Sequence, residues 1–189
     1  MSLVDLIAQA DERGLAASGL ACLDRCVPLL GGDDEVLRPL WSSLVDGGAW
    51  SECLERARTE LDAADPGQAV ADEDEAAVLV RRMLAAAPAD TRASDLREWA
   101  DACSVAALRI HRLLDATADD TGTCPVSAHR EGDTDGISPL VAAELRRQVA
   151  VLELLAGRGA GGLRPALEVS TEGRRVLRAV VSRRARGRA

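Results

Sequence analysis

The sequence predicts an all-α fold: a single domain over residues 1–189, built as one compact bundle of seven or eight helices around a central helix at residues 94–117. Three observations point there. Leu96, Trp99, Cys103, Ala106, Ile110 and Leu113 recur at alternating steps of three and four, which sets them on one helical stripe. A second small or apolar row, Ala100, Ala107 and Leu114, runs beside it, so only a narrow band of Arg97, Glu98, Asp101, Arg109 and Arg112 is left for water. The same periodicity returns along the chain, punctuated by capping residues and glycines and joined by short loops that favour antiparallel neighbours.

Taken in order, Ser2 to Asp5 has the spacing of a capping box, and Leu3, Leu6, Ile7 and Ala10 form one face of a short helix ended by Gly14. A second helix starts near Ser18 and carries Leu20, Leu23, Val27 and Leu30, with a kink or early end expected at Pro28. Asp33 is placed to cap a third, with Val36, Leu37, Leu40, Trp41, Leu44 and Val45 expected to be buried, disturbed by Pro39 in its middle or first turns and closed by Gly47-Gly48. The fourth covers about Trp50 to Ala64, with Glu52 and Arg56 ordered for an i,i+4 pair. Asp65-Pro66-Gly67 reads as a turn, and Asp72 to Glu75 as the acidic first turn of a fifth helix with Leu79, Val80, Met83 and Leu84 inward. Ser94 then caps the central helix.

Residues 119–137 lack periodicity, and a loop that long in a compact domain is usually functional or disordered. Ser138 and Pro139 restart a helix as N-cap and first residue, with Val141, Ala142, Leu145, Val149, Leu152 and Leu155 on its stripe; it is the expected main partner of the central helix and ends near Ala156. A last helix is expected from Thr171 to Arg184, before a frayed arginine-rich end.

Composition narrows the chemistry. The chain has no Phe, Tyr, Lys or Asn and all 23 of its basic residues are Arg, a bias towards G/C-rich codons that implies a high-GC, most simply bacterial, genome. Without Lys there is neither a Walker A loop nor a Schiff base, and without Tyr no phenolic acid or base. The start of the chain, with Asp5, Asp11 and Glu12, does not read as a signal peptide, and no stretch approaches the ~20 apolar residues of a membrane span, so a cytosolic protein is expected. Five cysteines, an odd number, then read as reduced, with Cys22, Cys26, Cys53 and Cys103 in the core and Cys124 in a polar stretch. The total charge of −8 conceals a division: residues 1–157 hold 14 Arg against 29 acidic residues, whereas the basic segment 158–189 holds 9 Arg against 2.

No ligand set for a metal and no catalytic constellation emerges, and no cofactor is expected. The weak cofactor-binding candidates are Cys124 with His129 five residues on, and His111 on the flank of the central helix, which reads first as a core histidine bonded to a neighbour. Gly157 to Gly162 matches G-x-G-x-x-G, but a helix precedes it and Leu163-Arg164-Pro165 follows, so it reads as a helix-ending loop. Trp41, Trp50 and Trp99 fall on apolar stripes and are expected to meet in the core or at a subunit contact.

Residues 1–50 lack the helix-turn-helix pattern of tetracycline-repressor-like regulators, Pro28 and Pro39 falling where a recognition helix would lie. Val169-Ser170-Thr171-Glu172-Gly173-Arg174-Arg175-Val176-Leu177 resembles the wing-to-helix segment of winged-helix regulators such as the multiple-antibiotic-resistance family. That resemblance covers nine residues and implies a strand leading into a helix near DNA.

The leading expectation is a non-catalytic helical protein that acts through protein–protein contacts, with a homo-oligomer among them. The alternative is a DNA-binding regulator using the basic C-terminal region, residues 138–189, through Arg174, Arg175, Arg178, Arg183, Arg184, Arg186 and Arg188. A second alternative is a small-ligand or enzymatic site between the central helix and the loop at 119–137.

Overall fold

A computed structural model describes residues 1–31, 33, 35–63, 71–115 and 125–187. They form helices α1 (Leu3–Gln9), α2 (Glu12–Cys26), α3 (Arg38–Asp46), α4 (Trp50–Ala63), α5 (Ala71–Ala85), α6 (Ala93–Leu114), α7 (Val126–Glu131), α8 (Pro139–Arg158) and α9 (Leu163–Gly187). No strand occurs among the described residues, and none of their helices is long and apolar enough to cross a membrane. The turn expected at Asp65 to Gly67 lies outside them.

The most enclosed element is α2. Every residue from Gly14 to Cys26 is buried, including Asp24 and Arg25. It packs most extensively on α6, then on α9 and α8, so the main partner of α6 is α2 and not α8 as the sequence suggested. The reason is composition. Ala16, Ala17, Gly19 and Ala21 let neighbours close in from several sides, whereas a stripe reading sees only Leu20 and Leu23. Gly14 does not end α1, which stops at Gln9; Gly14 lies inside α2, its N–H donating to the Asp11 carboxylate at 2.7 Å in an N-cap.

The two internal prolines act near helix ends. After α2 the chain tightens into a 3-10 turn over Val27–Leu30 with Pro28 in its first residues, and Pro39 falls in the first turn of α3, where its missing donor is harmless. Asp33 caps the turn before α3, not the helix, accepting from Glu35 N–H at 2.9 Å. On α4 the arginine that finds a partner is Arg58, which meets Glu55 and donates to the carbonyls of Leu84, Ala85 and Ala87 at the end of α5. In α6 the N-cap position is Arg92, and Ser94 bonds Asp95 instead. Its buried face centres on Ala100, Cys103, Ala107 and Leu114, with Ala106 and Leu113 half-covered.

The C-terminal half departs furthest from expectation. Residues 126–131 form α7, so the 119–137 stretch is not wholly irregular. Helix α8 runs on to Arg158, a 3-10 turn over Gly159–Gly162 follows, and α9 starts at Leu163 with Pro165 in its first turn. Residues 169–177 therefore lie inside one continuous helix, and the strand implied by the winged-helix resemblance is absent there.

Trp50 and Trp99 meet edge to face with ring centroids 6.1 Å apart, each indole N–H donating to a carbonyl at 2.8 Å, Pro88 for Trp50 and Met83 for Trp99. Under the Trp99 ring lies Gly19, where a Cβ would come within 2.6 Å of two ring carbons. Helix propensity alone would make Gly19→Ala stabilising by up to about 1 kcal/mol, but a ring held by a hydrogen bond and a neighbouring indole cannot yield. Gly19→Ala should destabilise the fold by about 1–3 kcal/mol in urea unfolding; an unchanged or raised midpoint would show that Trp99 is free to shift.

Candidate functional site

Polar side chains that ordinarily face water run as a continuous chain through the interior. Arg25 of α2 and Glu144 of α8 are wholly buried and joined by two parallel bonds, Nε to Oε2 at 2.8 Å and Nη2 to Oε1 at 2.6 Å. Arg25 Nη1 also reaches Ser170 Oγ of α9 at 3.4 Å, and Nη2 lies 3.4 Å from Cys22 Sγ. One turn along α8, Gln148 donates to Glu144 Oε1 at 2.9 Å and accepts from Ser104 Oγ of α6 at 2.6 Å. Arg130 of α7 donates to Ser104 Oγ at 3.0 Å and pairs with Asp101, where the chain reaches the surface. Five helices are thereby tied together.

His111 closes the inner end. Its Nδ1 lies 2.7 Å from Ala107 O and its Nε2 3.5 Å from Glu144 Oε2, with no exposure. Burial pulls its pKa below the usual histidine value despite the Glu144 charge, so the ring is neutral at pH 7. For Glu144, burial alone would raise the pKa; the Arg25 guanidinium and the bonds from Arg25 and Gln148 together outweigh it and hold the carboxyl low. Alongside, burial pushes the Cys22 thiol up to about 12 and those of Cys26 and Cys103 well above normal, which leaves them protonated and poor nucleophiles. Cys22, Cys26, Cys53 and Cys103 are all free.

Next to Arg25 on α2, Asp24 forms a second buried pair with Arg174 of α9 at 2.7 Å. That fixes the place of the basic segment. Arg174 is turned into the core, and Arg184 donates to Leu113 O at the end of α6 at 2.7 Å. Arg175 meets Glu172 on its own helix at 3.7 Å, Arg178, Arg183 and Arg186 are exposed, and Arg188 lies outside the described residues. Of the other sequence candidates, His129 is buried with Nδ1 2.8 Å from Asp133 O, within its own turn, and Cys124 lies outside the described residues. No group of three His, Cys, Asp or Glu able to hold a metal occurs among the described residues.

Sequence reasoning missed Arg25, Glu144, Gln148 and Ser104. One signal was present: Glu144 and Gln148 continue the Val141, Val151, Leu155 row at steps of three and four, so a polar pair interrupts an otherwise apolar stripe.

Among the described residues, neither of the two roomiest clefts is lined by the polar chain. Between α5 and α6 a cleft of about 380 Å³ is walled by Leu79, Met83, Ala86, Trp99, Ala102 and Val105, with Arg82 and Arg109 also in its lining. Between α8 and α9 a wider groove of about 570 Å³ mixes Arg146 and Arg147 with Glu168 and Glu172. No family model, curated protein or solved structure matches the chain.

The buried groups fix how stability follows pH. Both Glu144 and His111 bind protons less readily folded than unfolded, so on acidification the unfolded chain gains protons first and stability declines, starting near the ordinary histidine value of about 6.5 and steepening towards that of glutamate, about 4.3. The buried thiols act in the opposite sense: the unfolded chain loses their protons first, so stability declines as pH rises past about 8.5. Chemical denaturation across pH should show a plateau near pH 7–8 falling on both sides, and His111→Gln should remove the part of the acid limb above about pH 5. An acid limb that began only below about pH 4.5 in the wild type would contradict this assignment.

Proposed function

We propose that the chain is a non-catalytic protein that works through contacts with other proteins, and that the α5–α6 face is its contact surface. The observation that carries the reading is a separation. The groups with chemical capacity are sealed inside, Arg25 and Glu144 bonded to each other and His111 held 3.5 Å from Glu144, while the cleft at the surface is apolar. An enzyme site brings polar groups of tuned pKa to the mouth of its cleft; here the cleft offers only two arginines and a deeply buried thiol. Free thiols at Cys22, Cys26, Cys53 and Cys103 accord with a reducing, cytosolic setting.

The DNA-binding reading draws less support. It relied on the arginines of the C-terminal region, and two of them, Arg174 and Arg184, are committed to the protein's own interior and to an α6 carbonyl. Arg175, Arg178, Arg183 and Arg186 lie along one helix packed on α2 and α8, on an otherwise acidic chain.

The test replaces the exposed Ala102 in the cleft by arginine, which fills the space without touching the core. Wild type and Ala102→Arg, matched for melting temperature, are immobilised and exposed to lysate of the source cells, with a parallel duplex-DNA titration. The expected result is at least one protein, the chain itself included, held by the wild type and lost by Ala102→Arg. Identical retention by both would reject the cleft as contact surface, and tight, salt-sensitive DNA retention would replace this reading by the nucleic-acid one.

A further inference from the structure

The exposed strip of α6 is built to meet its own reverse. Glu98, Ala102, Val105 and Arg109 follow at steps of four, three and four, so they share one helix face, acidic at the start, small in the middle and basic at the end. Glu98, Ala102 and Arg109 are exposed and Val105 is half-exposed. Among the described residues neither Glu98 nor Arg109 makes an ion pair within its chain. The midpoint between Glu98 and Arg109 is also the midpoint between Ala102 and Val105. A two-fold axis through that point therefore satisfies both pairs at once.

We propose that the occupant of the α5–α6 cleft is a second copy of this chain, its α6 lying antiparallel across the first. This rests on the protein-contact reading and names its partner. In that arrangement Glu98 of each copy faces Arg109 of the other, giving two ion pairs about 17 Å apart at 1.5 Å per residue, and Ala102 sits against Val105 of the second copy between them. The small central residues permit the close axial approach of about 8 Å that such packing needs. The alternating spacing matches a shallow crossing of about +20°.

Charge selects the orientation. A parallel arrangement would set Glu98 against Glu98 and Arg109 against Arg109, which is repulsive at both ends. The flank supplies the apolar area: Leu79 stands on the α5 side of the cleft, with Met83 and Trp99 at its base. A partner of unrelated sequence would need no such symmetry about a single point, and this coincidence of the polar and small pairs is what favours a second copy.

The test is a charge exchange read by sedimentation and native mass spectrometry of the full-length chain. Wild type should be dimeric, and Glu98→Arg and Arg109→Glu should each weaken self-association roughly tenfold or more, since each substitution replaces two attractive pairs by two repulsive ones. Mixing the two variants should restore a dimer containing one of each, because every facing pair is then again of opposite sign. Both positions are exposed, so matched melting curves exclude misfolding. Dimerisation unaffected by either variant, or two weakened variants that fail to recombine, would overturn the proposal. A wild-type monomer would overturn it too: if that monomer still loses a protein partner through Ala102→Arg, the dimer alone is wrong, and if it holds nothing, both readings fall.

Discussion

The structure is organised by the ion pair between Arg25 and Glu144, because two charges without solvent must be met by the protein alone. Two parallel bonds at 2.8 and 2.6 Å satisfy most of that need, and Gln148 and Ser170 supply the remainder. The requirement propagates outward. Gln148 needs Ser104, Ser104 draws in Arg130, and Arg130 ends on Asp101 at the surface, so the relative positions of α2, α6, α7 and α8 are fixed to hydrogen-bond precision. A purely apolar interior allows sliding by a fraction of a turn with little penalty; a bonded chain of this kind does not. Gly173 shows how tight the fit is, since a Cβ there would come within 2.3 Å of Arg25 Cδ and 2.9 Å of Arg147 Cδ.

The helical class, the order of the helices and the inward faces of α4 and α6 were legible from periodicity and caps. What periodicity cannot see is a polar residue that is buried because it has a partner more than a hundred residues away, as Arg25 and Glu144 do. On α8 this rotated the expected face: the apolar stripe pointed to Leu145 and Val149, which are half-exposed, while Glu144 and Gln148 are inside. On α9 the same blindness put Arg174 among the candidate DNA contacts, although it is bonded to Asp24 in the core. Helix α2 was under-read for the opposite reason, since its alanines and glycines carry little hydrophobic signal yet let α3, α5, α6, α8 and α9 approach.

The division between interior and surface gives the molecule its functional character. Its reactive groups are spent on holding the bundle, with the thiols of Cys22, Cys26 and Cys103 kept protonated by burial and His111 kept neutral. What remains outside is shape and charge: a small apolar cleft on α5 and α6 within an acidic surface, rimmed by arginines. The order of the core and the geometry of that face are linked through α6, which presents Ser104 and His111 inward and Ala102 and Arg109 outward. A displaced polar cluster would tilt the exposed strip of α6.

The most direct measurement is a double-mutant cycle on Arg25 and Glu144 by urea unfolding at pH 7. Glu144→Leu alone leaves a guanidinium buried without its counter-charge, and Arg25→Met alone leaves a carboxylate so; each should cost about 3–5 kcal/mol, while the double variant removes both charges and should recover most of that loss. If instead the double variant lost as much as the two single ones summed, the pair would not be the mutual constraint on which the rest of the structure depends.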